Sequence, residues 1–348
     1  MKTQIIDIQN LDAEGLKRLE APAALIRNGE TVVFPTETVY GLGANALDPE
    51  AVKKIFIAKG RPGDNPLIVH VSEIEAVDAL VTHIPAKAKI LMAAFWPGPL
   101  TLIMEKSELI PDEVSPGLDT VAVRFPSHDI ARAFIEMAGC PVAAPSANLS
   151  GRPSPTEGKH VLEDLNGRVA AIILSADGEL GLESTVIDMT VDPPVVLRPG
   201  DVTLAELRSV LGEVLVSSNV TRNILPDKVR SPGMKYTHYS PKGELVVVKG
   251  KPAEICQKIK SGVDNFHENP MKIGILASDE TMETYRKGII LSLGSCDNPK
   301  EMARNLFSRL RTFDELGVEK IYAEDIPLNN ETLALVNRLY KAAGYTFI

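Results

Sequence analysis

The stretch Ala58-Lys-Gly-Arg-Pro-Gly-Asp-Asn-Pro-Leu-Ile-Val-His70 joins two cations to a short apolar run. Lys59 and Arg61 stand one residue apart, and two prolines restrict the loop around them. The apolar residues 67–69 follow at once and are typical of a buried strand. An arginine fork and a lysine point charge at the mouth of a sheet predict an anion site. A solvated turn would explain the two cations on their own.

Strands alternate with helices on both sides of this stretch. Asp48 and Pro49 mark a helix start, because an aspartate side chain caps the first free N–H groups and proline fits the first helical position. We expect a twisted mixed sheet in an α/β or α+β domain. Its predicted strands cover residues 4–8, 31–34, 67–69, 100–104, 120–123, 141–144, 170–174, 184–187 and 194–197.

The carboxyl-terminal part of the chain begins a second pattern at Glu244. Short apolar runs at 245–248, 272–276, 289–292 and 320–323 alternate with predicted helices. This alternation predicts a small doubly wound, Rossmann-like sheet. We therefore divide the chain into a catalytic domain over 1–214, an ordered linker over 215–243 and a carboxyl-terminal domain over 244–348. The linker's central residues, 231–241, are rich in proline, glycine and aromatic side chains, which indicates a contact segment and not a passive tether.

Composition limits the class of protein. The 348 residues carry a formal net charge of −9, and the sequence pI is about 5.3. This charge argues against a strong nucleic-acid or membrane footprint. Three cysteines at scattered positions suggest neither disulfides nor a zinc site, and no apolar segment approaches the length of a membrane span. We expect a cytoplasmic enzyme or binding protein.

Polar residues recur where predicted strands end. Arg124 follows a buried run and should pair with either a ligand carboxylate or a protein acid. Ser146 and Asn148 form a tight polar turn, although such a turn can also satisfy its own backbone. His70 has no second ligand at metal-binding spacing. With anion clamps and hydroxyl donors but no evident nucleophile, the inventory favours phosphoryl or nucleotidyl transfer.

Six motifs in one order carry a resemblance to a known family. Together they resemble the threonylcarbamoyl-AMP synthase family of YrdC type, over roughly residues 15–205, and the remaining chain resembles its long two-domain form. The motifs are Phe34-Pro-Thr-Glu-Thr-Val-Tyr-Gly-Leu-Gly43, Lys59-Gly-Arg-Pro62 with Asn65-Pro-Leu67, Trp96-Pro-Gly-Pro-Leu-Thr101, Val123-Arg-Phe-Pro126, Ala144-Pro-Ser-Ala-Asn148 and Glu183-Ser-Thr-Val186.

The resemblance implies a nucleotidyltransferase. Such an enzyme makes L-threonylcarbamoyladenylate from L-threonine, bicarbonate and ATP and releases pyrophosphate. A separate tRNA threonylcarbamoyl transferase would use the product for N6-threonylcarbamoyladenosine in tRNA. Magnesium would arrive with ATP, and no organic cofactor is implied. Two alternatives are a non-catalytic RNA-binding module and a carbamoyl-adenylate-forming enzyme.

The resemblance also implies roles for individual residues, with Lys59 and Arg61 as the catalytic cations. The threonine-binding set is Thr36, His70, Arg124, Ala144 and Ser184. The ATP-binding set is Lys59, Arg61, Asn65, Thr120, Ser146, Asn148, Ser154, Arg198 and Tyr236. Because a threonylcarbamoyl adenylate hydrolyses readily, we expect residues 231–241 to act as a lid, with Tyr236 or Ser231 reaching the nucleotide.

Overall fold

The protein is described by a computed structural model over residues 2–176, 179–221, 239–266 and 269–348. The chain divides into two compact units. The first contains the described residues up to 221, except for the short segments 151–153 and 180–182. The second contains those two segments and the described residues from 239 onward. Within the described ranges, no helix has both the length and the apolar character needed to cross a membrane.

The first unit is built on one large mixed sheet. Its strand order is β1-β8-β2-β3-β7-β4-β6-β5-β9-β10-β11, with parallel neighbours such as β4 and β6 and antiparallel neighbours such as β5 and β6. The predicted twisted mixed sheet is therefore confirmed. Its strands are β1 (Gln4–Asp7), β2 (Val32–Phe34), β3 (Gly41–Asn45), β4 (Ile68–His70), β5 (Leu100–Glu105), β6 (Thr120–Arg124), β7 (Val142–Ala144), β8 (Ala171–Leu174), β9 (Thr185–Asp188), β10 (Val195–Arg198) and β11 (Leu215–Val216).

Helices connect many of these strands. They are α1 (Ala13–Arg27), α2 (Pro49–Lys59), α3 (Val77–Leu80), α4 (Ala86–Phe95), α5 (Asp129–Ala138), α6 (Gly158–Leu165), α7 (Leu204–Leu211) and α8 (Ser218–Thr221). Helix α2 begins as predicted, because the Asp48 side chain accepts hydrogen bonds from the N–H groups of Glu50 and Ala51. It ends at Gly60, whose φ of 62° is the left-handed conformation that glycine adopts without strain. Lys59 is thus the last helical residue, and its predicted place in the loop was wrong.

Strand β3 was missed by the sequence analysis, which treated residues 35–43 as a connection. It pairs antiparallel with β2, so the two strands form a hairpin. Glycine is essential here for packing: a Cβ at Gly43 would lie 2.7 Å from Val142 Cγ1 and 2.9 Å from Phe34 Cε1. The glycines that lower strand propensity therefore make room for the Phe34 ring.

The core of the first unit lies on both faces of its sheet. Val33 belongs to one large apolar cluster, whereas Val32 and Phe34 belong to another, as expected when successive side chains point to opposite faces. A third, small cluster contains Ile68, Ile103, Ala122 and Val186. By the same two-residue period, Ile68 and Ala122 share a face with His70 and Arg124. This small cluster is the apolar floor next to the candidate site.

The second unit is a parallel sheet with helices around it. Its strands β12 (Glu244–Val248), β13 (Ile273–Ala277), β14 (Ile289–Ser292) and β15 (Lys320–Glu324) have the order β12-β15-β13-β14. All three pairings are parallel. Alternate residues of β12 enter two different apolar clusters, so both faces of the sheet are covered. The helices α9 (Pro252–Asp264), α10 (Pro299–Glu315) and α11 (Leu333–Ala342) complete the predicted doubly wound fold, which is confirmed.

Candidate functional site

Three neighbouring strands bring a row of polar side chains together in the first unit. His70 on β4 is the register partner of Arg124 on β6, and Arg124 is the partner of Thr101 on β5. Register partners point to the same face, so these three side chains lie side by side. Thr101 Oγ1 is 2.7 Å from Ser184 Oγ, which extends the row to the residue before β9. The row thus joins His70, Arg124 and Ser184 of the predicted threonine set. Thr101, which links them, was not among the predicted site residues.

Arg124 is paired with a protein acid. Its Nη2 lies 2.7 Å from Glu37 Oε1, and both side chains are about 95% buried. Glu37 comes from the connection after β2, and its Oε1 also accepts a hydrogen bond of 3.2 Å from the Ser127 N–H. Glu37 lies within the predicted motif Phe34–Gly43 but was not among the predicted site residues, because it and Arg124 are far apart in the chain.

Burial and charge set the protonation of this cluster. Burial would raise the pKa of the Glu37 carboxyl, but the Arg124 charge and hydrogen bonds from Arg124 and the Ser127 N–H outweigh it and lower that pKa. Burial, helped by the nearby Arg124 charge, lowers the pKa of His70 to about 3. Burial also lowers the pKa of His128, the residue before α5. The cluster therefore contains one compensated ion pair and neutral imidazoles at neutral pH.

Arg198 and Ser184 form a second contact in the row. The Arg198 guanidinium donates from Nε to the Ser184 carbonyl and from Nη2 to Ser184 Oγ, each at 3.0 Å. Next to Ser184, the Glu183 carboxylate accepts a 2.5 Å hydrogen bond from Ser154 Oγ. All four side chains are buried. Two predicted ATP residues, Ser154 and Arg198, are thus held beside the predicted threonine residue Ser184.

Lys59 joins the end of α2 to the polar turn after β7. Its Nζ donates to the carbonyls of Ser146 and Asn148, the latter at 2.7 Å. Within the turn, Ser146 Oγ donates to Asn148 Oδ1 at 2.6 Å. Arg61 lies after the helix cap, with its guanidinium carbon 6.0 Å from the centre of the Phe56 ring. Lys59 therefore meets the turn that contains the predicted residues Ser146 and Asn148.

Asn65 and Thr120 stand at the opposite ends of β4 and β6 from the polar row. Asn65 precedes β4 and is fully buried, and within the described part of the chain neither atom of its side-chain amide has a hydrogen-bond partner. Thr120 is the first residue of β6, so four residues, or about 13 Å, separate it from Arg124. Both lie at the end of the sheet where β7 finishes. There Ala144, the register partner of Ile68, leads the chain into the Ser146 turn.

Thr36 and Tyr236 are the remaining residues of the predicted threonine and ATP sets. Thr36 is buried and its hydroxyl donates 2.6 Å to the Val39 carbonyl, so it shapes the turn after β2. Tyr236, Ser231 and most of the predicted lid lie outside the described residues. Tyr239, near its end, is described: its ring stacks on Phe307 inside the second unit, with 5.1 Å between ring centres. The lid stays a prediction.

A metal cage is not part of the described site. Among the residues that the structure describes, no group of three or more histidine, cysteine, aspartate or glutamate side chains is placed to hold a metal ion. The arrangement instead offers one buried ion pair, several hydroxyls and amides, and two cations near a polar turn. Such groups bind and orient charged ligands.

Comparisons with known proteins cover the whole chain. A family profile described as "Telomere recombination" matches residues 24–200. A second, described as "Threonylcarbamoyl-AMP synthase, C-terminal domain", matches residues 202–344. The chain is 47% identical to a threonylcarbamoyl-AMP synthase of Pyrococcus abyssi over 95% of each protein. It is 43% identical to a Bacillus subtilis protein of the same name over 99% of each.

A solved structure extends the likeness to the fold. The crystal structure of P. abyssi Sua5 complexed with L-threonine matches with a TM-score of 0.93 and 46% identity, over 99% of both chains. Escherichia coli YciO matches 58% of this chain with a TM-score of 0.51 and 26% identity. The P. abyssi match spans both units. The YciO match covers a length of chain similar to that of the first unit.

Proposed function

The chain belongs to the threonylcarbamoyl-AMP synthase family, and we infer that it converts L-threonine, bicarbonate and ATP into L-threonylcarbamoyladenylate and pyrophosphate. The observation that carries this inference is the match over 95% of each chain to a named synthase, together with a threonine-bound relative of the same fold. The product would serve N6-threonylcarbamoyladenosine formation in tRNA through a separate transferase. Full-length relatives with this name favour the synthase over an RNA-binding module or a carbamoyl-adenylate-forming enzyme.

We assign the amino-acid substrate to the polar row. Arg124 provides a guanidinium for the carboxylate, and His70 and Ser184 provide polar atoms beside it. Thr36 lies in the turn after β2, next to Glu37, and Ala144 pairs with Ile68, two residues before His70 on β4. A buried arginine with an acid partner supports this assignment, because the acid compensates the buried positive charge and holds the guanidinium at a fixed place.

We assign the nucleotide to the other end of β4 and β6. Asn65, Thr120, Ser146 and Asn148 would bind it there, and Lys59 and Arg61 would meet its phosphates. ATP is long enough to extend along the roughly 13 Å between Thr120 and Arg124, which would place its α-phosphate towards the amino acid. Ser154 and Arg198 lie beside Ser184, at the threonine end.

Two steps follow from this placement, an addition and a displacement. Bicarbonate takes up a proton and gives carbon dioxide and water, and the bound threonine ammonium loses a proton. The neutral amine then adds to carbon dioxide and releases one further proton from nitrogen, which gives the carbamate. A carbamate oxygen then attacks the α-phosphorus, and the bond to the bridging oxygen breaks as pyrophosphate leaves. Lys59 and Arg61 would stabilise the charge that develops on the phosphates. Magnesium accompanying the triphosphate stays a prediction, as does the cytoplasmic location.

Release of pyrophosphate tests the assignment. Full-length protein is incubated with ATP, and threonine or bicarbonate is left out in turn. We expect release with the complete mixture and a fall to background in each omission, because the carbamate requires both. Equal release without threonine would contradict the synthase assignment. Serine in place of threonine then measures selectivity in the same assay.

A further inference from the structure

Five buried polar atoms around Arg124 have no hydrogen-bond partner within the described part of the chain. They are Glu37 Oε2, Arg124 Nε and Nη2, His70 Nδ1 and His128 Nδ1. Of these, Arg124 Nη2 lies 2.7 Å from Glu37 Oε1 as an ion-pair contact. Buried polar atoms normally find partners, because leaving one unpaired costs about 1–3 kcal/mol. Five such atoms in one cluster indicate that the cluster is built for a ligand that is not part of the protein.

The cluster holds both signs of charge in fixed positions. Glu37 Oε1 is already occupied, since Arg124 Nη2 lies 2.7 Å away and the Ser127 N–H donates to it at 3.2 Å. The other carboxylate oxygen, Oε2, has no hydrogen-bond partner among the described residues, and neither has Arg124 Nε. One acceptor and one donor of opposite charge thus belong to a single ion pair.

An α-amino acid presents the complementary pair. Its carboxylate and its ammonium are attached to one carbon, so they can meet a donor and an acceptor that are neighbours. The histidines do not alter the charge balance, because burial lowers the pKa of both rings. The cluster is accordingly neutral in total, which suits a neutral zwitterion better than a carboxylate without an amine.

We propose that Glu37 recognises the α-ammonium of the amino-acid substrate and so selects amino acids over carboxylates that lack the amine. This role rests on the proposed threonine site and adds to it a specificity-determining residue. Arg124 alone would bind any carboxylate of the right size. Glu37 makes the amine a requirement. When a ligand without an ammonium binds through its carboxylate, Glu37 Oε2 stays unpaired.

Calorimetry with full-length protein tests the proposal. The two probes are L-threonine and (R)-3-hydroxybutanoate, which lacks only the amine. We expect Glu37→Gln to weaken threonine binding by roughly tenfold to a hundredfold, as for loss of a charged hydrogen bond. Binding of (R)-3-hydroxybutanoate should stay the same or tighten, because the variant leaves the Arg124 charge uncompensated. The preference for threonine therefore collapses.

Two results would overturn the proposal. Equal weakening of both probes would show that Glu37 serves only to hold Arg124. Unchanged threonine binding would show that Glu37 does not meet the ligand. Glu105→Gln, at the exposed end of β5, is the matched control and should leave both affinities at the wild-type value.

Folding is measured for each variant by its thermal transition. If Glu37→Gln does not fold, Glu37→Asp takes its place, since it keeps the charge on a shorter side chain. A loss of affinity in Glu37→Asp that is larger for threonine than for (R)-3-hydroxybutanoate supports the role, and an equal loss for both probes, or no loss, overturns it. If the wild-type protein binds ATP but neither probe, the threonine site itself has failed, and this differs from a failure of Glu37.

Discussion

Both sheets of this protein end in polar clusters, one buried and one partly buried, and the two clusters differ in how completely their atoms are paired. In the first unit, Glu37 and Arg124 each keep an unpaired polar atom within the described residues. In the second unit, Glu324 ends β15 with both oxygens occupied: Oε1 accepts from Tyr285 Oη at 2.6 Å, and Oε2 from the Ser278 N–H at 3.0 Å. Thr281 Oγ1 also donates to Oε2 at 2.7 Å.

The second cluster lines a real cavity. About 310 Å³ of space lies at the carboxyl ends of β13 and β15, which is where α/β sheets commonly bind ligands. In its neighbouring acid Asp325, Oδ1 accepts hydrogen bonds from the Ile326 N–H at 3.0 Å and from Tyr340 Oη at 2.8 Å. Position in the fold and an open volume are therefore insufficient to identify a site. The unpaired atoms around Arg124 are the more informative observation, because they represent a free-energy cost that a ligand can remove.

Removing Arg124 gives the largest expected effect and tests the first side of this comparison. Arg124→Ala should lower the free energy of unfolding by about 3–5 kcal/mol, because it leaves Glu37 buried without a counter-charge. Urea unfolding followed by Trp96 fluorescence measures this, since Trp96 is the single tryptophan and is buried in the first unit.

The double variant Glu37→Gln with Arg124→Met is the control for Arg124→Ala. It removes both charges and should regain most of the lost stability while threonine binding stays lost. A loss below about 1 kcal/mol in Arg124→Ala would show that the pair is solvated and not a buried ion pair.

Glu324→Gln tests the other side of the comparison. An amide nitrogen cannot accept a hydrogen bond, so at least one of the donors from Ser278, Thr281 and Tyr285 loses its partner. We expect a loss of about 1–3 kcal/mol in unfolding free energy, measured by far-ultraviolet circular dichroism in urea. Threonine affinity should not change, because this network is structural. The exposed Glu319→Gln should alter stability by less than about 0.5 kcal/mol. Loss of threonine affinity in Glu324→Gln would erase the distinction between the two clusters.

The last prediction concerns pH, and its effect is small when it is counted per pH unit. The His70 pKa is about 3 in the folded protein, against an ordinary value of 6.5. Between these two values the unfolded chain binds a proton that the folded chain does not, so stability falls as pH falls from 6.5. The slope is about 1.4 kcal/mol per pH unit from this residue. His70→Gln should lose that part of the slope in Trp96 unfolding curves, whereas the exposed His83→Gln should keep the wild-type slope. Equal slopes in wild type and His70→Gln would show that His70 is hydrated.

Local signals in the sequence were sufficient for much of the fold. Asp48 followed by Pro49 placed the start of α2, because capping depends on neighbouring residues. The parallel sheet of the second unit followed from apolar runs that alternate with amphipathic helices. These features need no knowledge of distant contacts.

The missed features all depend on contacts between distant parts of the chain. Strand β3 has the sequence Gly-Leu-Gly-Ala-Asn, whose propensity opposes a strand. It forms because its glycines admit the Phe34 ring. The pairing of Glu37 with Arg124 and the contact of Thr101 with Ser184 each join residues more than 80 positions apart. Sequence spacing contains no direct record of such pairs, whereas the six motifs identified the region in which they lie.

The hairpin of β2 and β3 has a consequence for directed evolution of this enzyme. The Phe34 ring fills the space above Gly43 and meets the His70 ring edge-on, with 5.9 Å between centres. Any larger residue at Gly43 would push that ring, and Phe34 would pass the displacement to His70. Most members of a mutant library that randomises Gly43 would therefore have a distorted pocket. Glu105 and other exposed positions at the strand ends tolerate change, so diversity introduced there leaves the geometry of the pocket intact.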